Sequence, residues 1–511
     1  MRVVSMKIAI AGASVAGLAG AAALAAQGHR IELLERDAAP VPDPRDIASG
    51  DLTADDWQRS GVPQMRHSHA FLAKLRNLLA NRAPDLLQEL LRSGVREVGF
   101  LELAQPLFGK CTLEPGDEEL ALLACRRTTF EWALRRYVEQ LPNVDVRTGT
   151  RIVGLTADSV DTQRGTARIS GFRYHDADGS EITTESDLTI DATGRGTSVD
   201  AWLDDLGLPP IECEREPCGI FYASRFYRRR PEAGPLLLPG GLMALDLGYL
   251  KVGLFPGDAN TFSLTLAASP EDPAMRHLLR SEGFDAAARE LPTVAGFVEA
   301  SVAEPISKLH GMSGFEGFRR LPGPEPSIAG FVQLGDALIH TNPLYGRGCT
   351  LSFVHAFALA DALEATNGEA AAFSRELDAA VEREIVPWYQ SARAQDRDAR
   401  DVADELAAGR DPYRAHDADG RVQPRAYMRS LMRDGLGPAM REDIDLLRAF
   451  MRVFNLLDPP RDLLQDPTIL QRVLASHAAR GDRAKEAQGP DRGEMIAILE
   501  KLGPAADERA G

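Results

Sequence analysis

The chain has 511 residues, 44% of them hydrophobic, enough for two or three packed units. Its formal net charge of -17 excludes nucleic acid as a main partner, because phosphate contacts need a basic surface. The one run near transmembrane length, residues 8–26, is mostly Ala and Gly, whereas a span takes roughly 18–20 strongly apolar residues, so no integral membrane association is expected.

Residues 8–37 read IAIAGASVAGLAGAAALAAQGHRIELLERD. As a secretory leader, this stretch would use Arg2 and Lys7 as its charged start and Ala23-Leu24-Ala25 as its cleavage site. The periodicity favours another reading: a buried strand at 8–11, an Ala-rich helix at 15–27 stopped by Gly28, and a second strand at 31–34. In such a β-turn-α-β unit Gly12 permits the tight turn, and Gly17 lets the helix pack closely on the sheet. The helix start at Val15 and Ala16 offers unpaired N–H groups and a partial positive charge to a pyrophosphate. Ser14 stands where a second glycine is usual; it is small, and its hydroxyl adds a donor. Glu35, followed by Arg36, ends the second strand where a carboxylate can hold the hydroxyls of an adenosine ribose. A glutamate there repels a 2′-phosphate, so FAD or NAD fits better than NADP.

Residues 38–63, rich in Pro, Asp and Gly, read as a long loop. Amphipathic helices are expected at 68–82, 84–92 and 125–140, the last with Phe130, Leu134 and Val138 on its apolar side. Strands are expected at 145–147, 151–155, 167–174 and 187–192. From 213 to 320 come short strand-like runs, GIFYASRFY, LMALDL, YLKVGLF and TFSLTLAA, as in an antiparallel sheet. The α/β pattern returns with a strand in GFVQLGDA and a helix at 350–364. Beyond 369 the chain reads as wholly helical, with breaks at Pro387, Gly409 and Pro459-Pro460 and a polar, loose tail. The five cysteines, Cys111, Cys125, Cys213, Cys218 and Cys349, form no CxxC pair, which points to a reducing, cytoplasmic setting.

Residues 335–356, GDALIHTNPLYGRGCTLSFVHA, are the most specific stretch. Gly335-Asp336 closes a strand, and a loop with Pro343, Gly346 and Gly348 leads into a helix. An Asp at the strand end can accept from a sugar-like hydroxyl. The loop aims backbone N–H groups and a helix N-terminus at one spot, which suits a polyol chain and negative charge on a reduced ring. The segment resembles the GD motif of FAD-dependent monooxygenases related to para-hydroxybenzoate hydroxylase. That resemblance implies Asp336 on the ribityl chain and the loop at the pyrimidine edge of the flavin, making Pro343, Tyr345, Gly346, Arg347 and Gly348 its catalytic neighbourhood. Arg347 would either stabilise an anionic flavin or sit as a solvated rim arginine. DATGRGT, 191–197, resembles the family's ATG motif, bringing Asp191, Ala192, Thr193 and Gly194 to the FAD site. CRRTTFEWAL, 125–134, resembles its R-x-x-(L/F)-E helix start, placing Arg127 near the pyrophosphate.

GVPQMRHSHAFL, 61–72, looks like a stretch of a bacterial subgroup that includes polyether-type epoxidases, making Arg66 an FAD contact. His67 and His69, two apart with no Cys or acidic ligand near in sequence, suit a polar contact by the flavin or a helix start better than a metal. EIVPWYQSA, 384–392, fits the helix that follows the FAD domain in that subgroup. The resemblance runs in motif order over residues 6–390. It implies a mixed α/β (α+β) fold. A Rossmann-like FAD-binding domain (1–95, 120–212 and 325–390) is interrupted by an antiparallel β-sheet substrate domain (96–119 and 213–324). A helical region, 391–511, follows.

The implied reaction is monooxygenation, in which reduced FAD and O2 give a C4a-hydroperoxide that epoxidises an alkene or hydroxylates an aromatic ring. Hydroxylating a phenol benefits from a base; epoxidation needs only apolar shape. Phe221, Tyr222, Phe226, Leu242, Met243, Leu245, Phe255 and Phe262 are candidates for that shape, or are the plain core of a sheet. No second nucleotide fold is visible, so electrons come from NAD(P)H directly or from a partner flavin reductase. An alkene reductase resembling geranylgeranyl reductase and a non-redox isomerase or cyclase share the architecture. A flavin halogenase would carry WxWxIP, and none of Trp57, Trp132, Trp202 or Trp388 begins one.

Overall fold

The computed structural model describes residues 5–57, 59–234, 236, 243–322, 327–460, 463–481 and 489–503. Arg2, Leu242, the side chain of Met243, the 324/325 boundary and the last eight residues of the tail lie outside the described residues.

A five-stranded parallel sheet carries the first unit, in the order Phe331–Gln333, Leu188–Asp191, Lys7–Ala11, Arg30–Glu35, Val144–Thr148. Its central strand is buried from Ile8 to Ala11, as a sheet covered on both faces requires. The helix Val15–Ala26 packs on Gly348–Thr366, with ten of its twelve residues buried. Residues 8–11 and most of the following helix are therefore core; cleavage after Ala25 would take away the central strand. The strands of this sheet are drawn from residues as far apart as 7–11, 144–148, 188–191 and 331–333.

The second sheet is antiparallel, in the order Met243–Asp246, Leu250–Pro256, Thr261–Ala268, Phe221–Arg229, Ala303–Pro305, with His310–Met312 also paired to Phe221–Arg229. Strand alternation sorts its faces. Phe221, Ala223, Phe262, Leu264 and Leu266 enter a core with Phe284 and Leu278. Tyr222, Ser224 and Thr265 face the other way, onto a cavity. Of the apolar candidates above, Phe221 and Phe262 are thus core residues, while Tyr222, Leu245 and Phe255 line the cavity.

Several local expectations shift. The 38–63 loop contains a helix, Pro44–Ser49, whose first turn is capped by Asp43 accepting from the Arg45 N–H at 2.8 Å. The helix expected from residue 68 starts later, at Ala73–Arg82, because residues 67–72 run extended, with the Leu123 N–H donating to the Phe71 carbonyl. Residues 273–298 form helical segments, among them Ser281–Glu290 and Pro292–Val298, that cover the sheet's apolar face. Residues 96–119, grouped above with this sheet, pack elsewhere: Val98, Phe100 and Leu103 meet Leu447 and Met451 of Ile444–Phe454. The region beyond 369 is interrupted by a non-helical stretch at 408–423, and the tail includes a helix, Arg492–Glu500, that buries Met495 and Leu499 in the sheet core. Among the described residues, no helix is long and apolar enough to cross a membrane.

Helix Val386–Ala407 starts with Pro387 in its first turn, where a missing N–H costs nothing. It is clamped to the strand Glu212–Pro217 by Glu216, which accepts from Arg393, Arg397 and Arg400. These arginines hold the Glu216 carboxyl down at about 2.

Candidate active site

The turn after the first strand is shaped by two glycines. Gly12 has φ +99°, and a Cβ there would stand 2.6 Å from the Ala192 carbonyl oxygen. A Cβ on Gly17 would stand 1.8 Å from the Gly12 oxygen, so the helix closes directly on the turn. Ser14 makes no capping bond to that helix. Its hydroxyl instead accepts from Arg127 Nη2 at 3.0 Å and donates to Glu131 Oε2 at 3.1 Å. The first-turn residues Val15 and Ala16 therefore open uncapped onto a cavity of about 620 Å³, within the usual range for small-molecule sites.

The same cavity receives a second helix start. Gly348–Thr366 has no side-chain cap, and Gly348, Cys349 and Ser352 line the wall with Ser14 and Arg127. Two positive helix ends and a guanidinium thus meet in one place. Gly194 and Gly348 line it with nothing within 4 Å of where a Cβ would be, leaving bare backbone.

Asp336 lines the cavity with its side chain 39% exposed. Gly335 before it has φ +62°, and a Cβ there would crowd the Ala16 methyl at 2.8 Å. The Gly335 N–H donates to His355 Nδ1 at 3.2 Å; burial pushes that imidazole down to about 4, so it stays neutral and able to accept. Asp191 is fully buried and does not reach the cavity. Its carboxylate accepts from the Thr193 N–H at 3.0 Å, the Thr193 hydroxyl at 2.6 Å and the Thr197 hydroxyl at 2.6 Å. It therefore shapes the turn that sets Ala192, Thr193, Gly194 and Arg195 along the wall.

Three expected contacts lie elsewhere. Glu35 is buried and absent from the lining, because its carboxylate already accepts from the Ala13 N–H (2.8 Å), the Asp37 N–H (2.8 Å) and Arg59 Nη2 (2.7 Å). Arg36, the next residue, does line the cavity. Arg66 ends a 3-10 turn, Pro63–Arg66, that turns it outward to pair with Asp55 at 3.2 Å, while Gln64 takes the inner side. Arg347 neither lines the cavity nor sits free in solvent. Its guanidinium lies over the rings of Tyr345 (5.1 Å) and Trp388 (5.0 Å), and burial pushes it down to about 10.

Pro343, Tyr345 and Gly346 line the cavity beside Gly348. Gly346 has φ +66°, close against Ala70. The loop is tied to helix Val386–Ala407 by Asp396, whose Oδ1 accepts from Tyr345 Oη at 2.6 Å and from Asn342 Nδ2 at 2.7 Å.

Asp396, Arg59 and Glu131 escaped the sequence reading. The side chain of Arg59 is 2% exposed and bridges Glu35 and Glu131 while donating to the Ala13 carbonyl at 3.1 Å. Glu131 was visible as the last letter of the R-x-x-F-E pattern. Arg59 and Asp396 carried no local signal, since their partners are distant in the chain.

His67 and His69 diverge. His67 Nδ1 lies 3.1 Å from Ser224 Oγ, and His69 Nδ1 donates to the His67 carbonyl at 3.0 Å. Burial first, then neighbouring cationic groups, pushes both rings down to about 3, so both are neutral at neutral pH. On the sheet side the Tyr222 and Phe315 rings stack at 5.0 Å, with Arg195 lying 5.3 Å over Phe315.

No known family profile matches the chain. A Mycobacterium tuberculosis protein, Rv3254, is 28% identical over 421 residues, covering 75% of this chain and 78% of that protein. Among solved structures, PqsL of Pseudomonas aeruginosa, a probable FAD-dependent monooxygenase, is similar with a TM-score of 0.55 and 19% identity, over 79% of this chain and 96% of that one. A flavoprotein/dehydrogenase from Cytophaga hutchinsonii is similar with a TM-score of 0.57 and 13% identity, over 94% and 100% of the two chains. The myxobacterial FAD-dependent halogenase CndH is similar with a TM-score of 0.52 and 17% identity, over 95% and 99%. The chain therefore has the mixed α/β fold found in FAD-dependent monooxygenases and halogenases.

Proposed function

We propose that the chain is an FAD-dependent monooxygenase acting on a small aromatic or alkene substrate. The observation that carries this reading is the convergence of two uncapped helix starts, at Val15 and Gly348, with Arg127 on one cavity whose far wall is a sheet face. An extended dinucleotide suits that shape. The Val15–Ala16 backbone and Arg127 would hold its pyrophosphate, Arg36 its adenosine end and Asp336 its ribityl chain, with the flavin ring beside the loop from Pro343 to Gly348.

When bound, FAD supplies the redox chemistry, passing electrons to O2 so that one oxygen atom enters the substrate and the other leaves as water. The protein's own contribution is geometry and exclusion. The Gly348 helix start and the loop backbone favour negative charge at the ring's pyrimidine edge. Tyr222, Phe315, Met312 and Leu344 keep the opposite wall poor in water. PqsL has been solved with 2-aminobenzoylacetate, an aromatic molecule, which supports a substrate of that class here. Halogenases share the fold, but this chain has no WxWxIP segment. The narrower likeness to polyether-type epoxidases rests on residues 61–72. NAD(P)H or a partner reductase would supply the electrons.

The test uses the full chain loaded with FAD, reduced by light without air and then mixed with O2, with and without candidate arenes and alkenes. Oxygenated product, with hydrogen peroxide release falling as it forms, is the expected result. Reoxidation by an alkene in the absence of O2, with slow reaction toward O2, would instead assign an alkene reductase.

A further inference from the structure

Three hydroxyls line the sheet side of the cavity: Ser68, Ser224 and Thr265. They belong to one hydrogen-bonded chain. Ser68 Oγ donates to Ser263 Oγ at 2.8 Å. Ser68 Oγ and Thr265 Oγ1 are 2.7 Å apart, Thr265 Oγ1 and Ser224 Oγ are 2.7 Å apart, and Ser224 Oγ lies 3.1 Å from His67 Nδ1.

A hydroxyl has one proton to give and two lone pairs to receive. With the Ser68 proton on Ser263, Thr265 must donate to Ser68, Ser224 must donate to Thr265, and His67 must donate its Nδ1–H to Ser224. In this arrangement, fixed by the Ser68-to-Ser263 bond, Ser68, Ser224 and Thr265 have no proton left for a ligand, and each keeps one free lone pair. His69, on the same cavity, follows the same logic: its Nδ1–H goes to the His67 carbonyl, so the neutral ring has only the Nε2 lone pair left. The nearby Tyr222 hydroxyl donates to Met312 Sδ at 3.6 Å. The hydroxyls and His69 therefore offer only acceptors, beside a flat aromatic pair, Tyr222 on Phe315, whose face carries the Arg195 guanidinium.

We propose that the organic substrate is recognised here through a neutral hydrogen-bond donor on an aromatic ring, an aryl O–H or N–H, placed against Ser68 and Thr265, with Ser224 buried behind them to hold their protons away. A ligand with only acceptors at that position, such as an aryl ether, ketone or carboxylate, would face lone pairs with lone pairs and lose its hydration unreplaced. The identification of this compartment as the substrate's rests on the monooxygenase reading; the donor preference rests on the hydroxyl chain alone.

The experiment measures binding rather than turnover. The full chain, in its oxidised FAD-loaded form, is titrated calorimetrically with 2-naphthol and with 2-methoxynaphthalene, which differ in the donor. Naphthol is expected to bind roughly tenfold more tightly, the size of one net hydrogen bond. Two variants test the chain itself. Thr265→Val cuts it and removes one of the two reachable acceptors, so the naphthol-to-ether affinity ratio falls about tenfold. Ser263→Ala alters no residue lining the cavity but frees the Ser68 proton, and it lowers the ratio in the same direction by a similar factor. Equal affinities in the unmodified protein, binding of neither probe, or an unchanged ratio in Ser263→Ala would each overturn the proposal. If the protein binds no FAD, the functional reading falls, while the ratio measured on the protein as purified still decides the recognition rule.

Discussion

Replacing Asp396 by Ala tests how the loop at the redox end is held. The carboxylate is 4% exposed and lies on Val386–Ala407, outside both sheets. Its Oδ1 receives two donors from one loop, Tyr345 Oη at 2.6 Å and Asn342 Nδ2 at 2.7 Å. Asn342 is itself buried and Tyr345 half-buried, so the variant leaves one donor stranded and a second partly so. A stranded buried donor costs about 1–3 kcal/mol. Some of this is offset, because burial raises the Asp396 carboxyl and its removal relieves a desolvated charge. A net loss of roughly 1–3 kcal/mol remains, concentrated in the segment from Asn342 to Gly346. The expected outcome is a lower Tm together with a roughly tenfold weaker FAD affinity, read by flavin fluorescence at equilibrium. Asp396→Asn keeps an acceptor at Oδ1 and should lose less than half as much. A variant that melts earlier yet binds FAD as tightly as the parent would refute the coupling between this helix and the loop.

Other consequences are equally concrete. Asp336→Ala should weaken FAD retention through gel filtration with little change in melting, since the carboxylate is partly exposed; full flavin retention would remove it from the site. Gly12→Val places a side chain at φ +99° and a Cβ 2.6 Å from the Ala192 oxygen, and should cost at least about 1–3 kcal/mol in urea unfolding. Burial pushes His67, His69 and His355 down to about 3, 3 and 4 in the folded chain, against about 6.5 when unfolded. Below pH 6.5 the unfolded chain binds protons that the folded chain refuses. Stability is therefore full above that pH and falls as pH drops toward 4 and then 3, measurable as a declining Tm. Glu216 adds a second loss: its carboxyl is depressed to about 2, so the arginine clamp holds above pH 4.5 and weakens as pH falls toward 2. Glu216→Gln should flatten that lower part of the curve.

Much of this architecture was legible because it is written in local period. The apolar run at 8–11, the Ala-rich helix and the strand ending at Glu35 declare a β-turn-α-β unit before any contact is known. The GD loop at 335–348 is similarly explicit, because its glycines and proline are demanded by backbone geometry. What stayed hidden depends on partners remote in sequence. Glu35 reads as a ribose ligand until Arg59 is seen to occupy it from 24 residues away. Asp396 is one charge among many on a polar helix until its bond to Tyr345, 51 residues away, is known. In the 221–229 strand, Phe221 and Tyr222 look equally apolar; only the pairing with Thr261–Ala268 decides which faces the core and which faces the cavity. The helices at 273–298 stay hidden because strand-like runs flank them on either side.

In the proposed enzyme FAD lies along one continuous cavity, with its pyrophosphate at Val15, Ala16 and Arg127 and its ring beside Pro343, Gly346 and Gly348. The most direct test is a crystal structure of the full chain grown with FAD. The expected result is the pyrophosphate against the two uncapped helix starts and the flavin ring between that loop and the Tyr222–Phe315 wall. A chain that binds no FAD under those conditions, or that holds the ring away from the 343–348 loop, would contradict it.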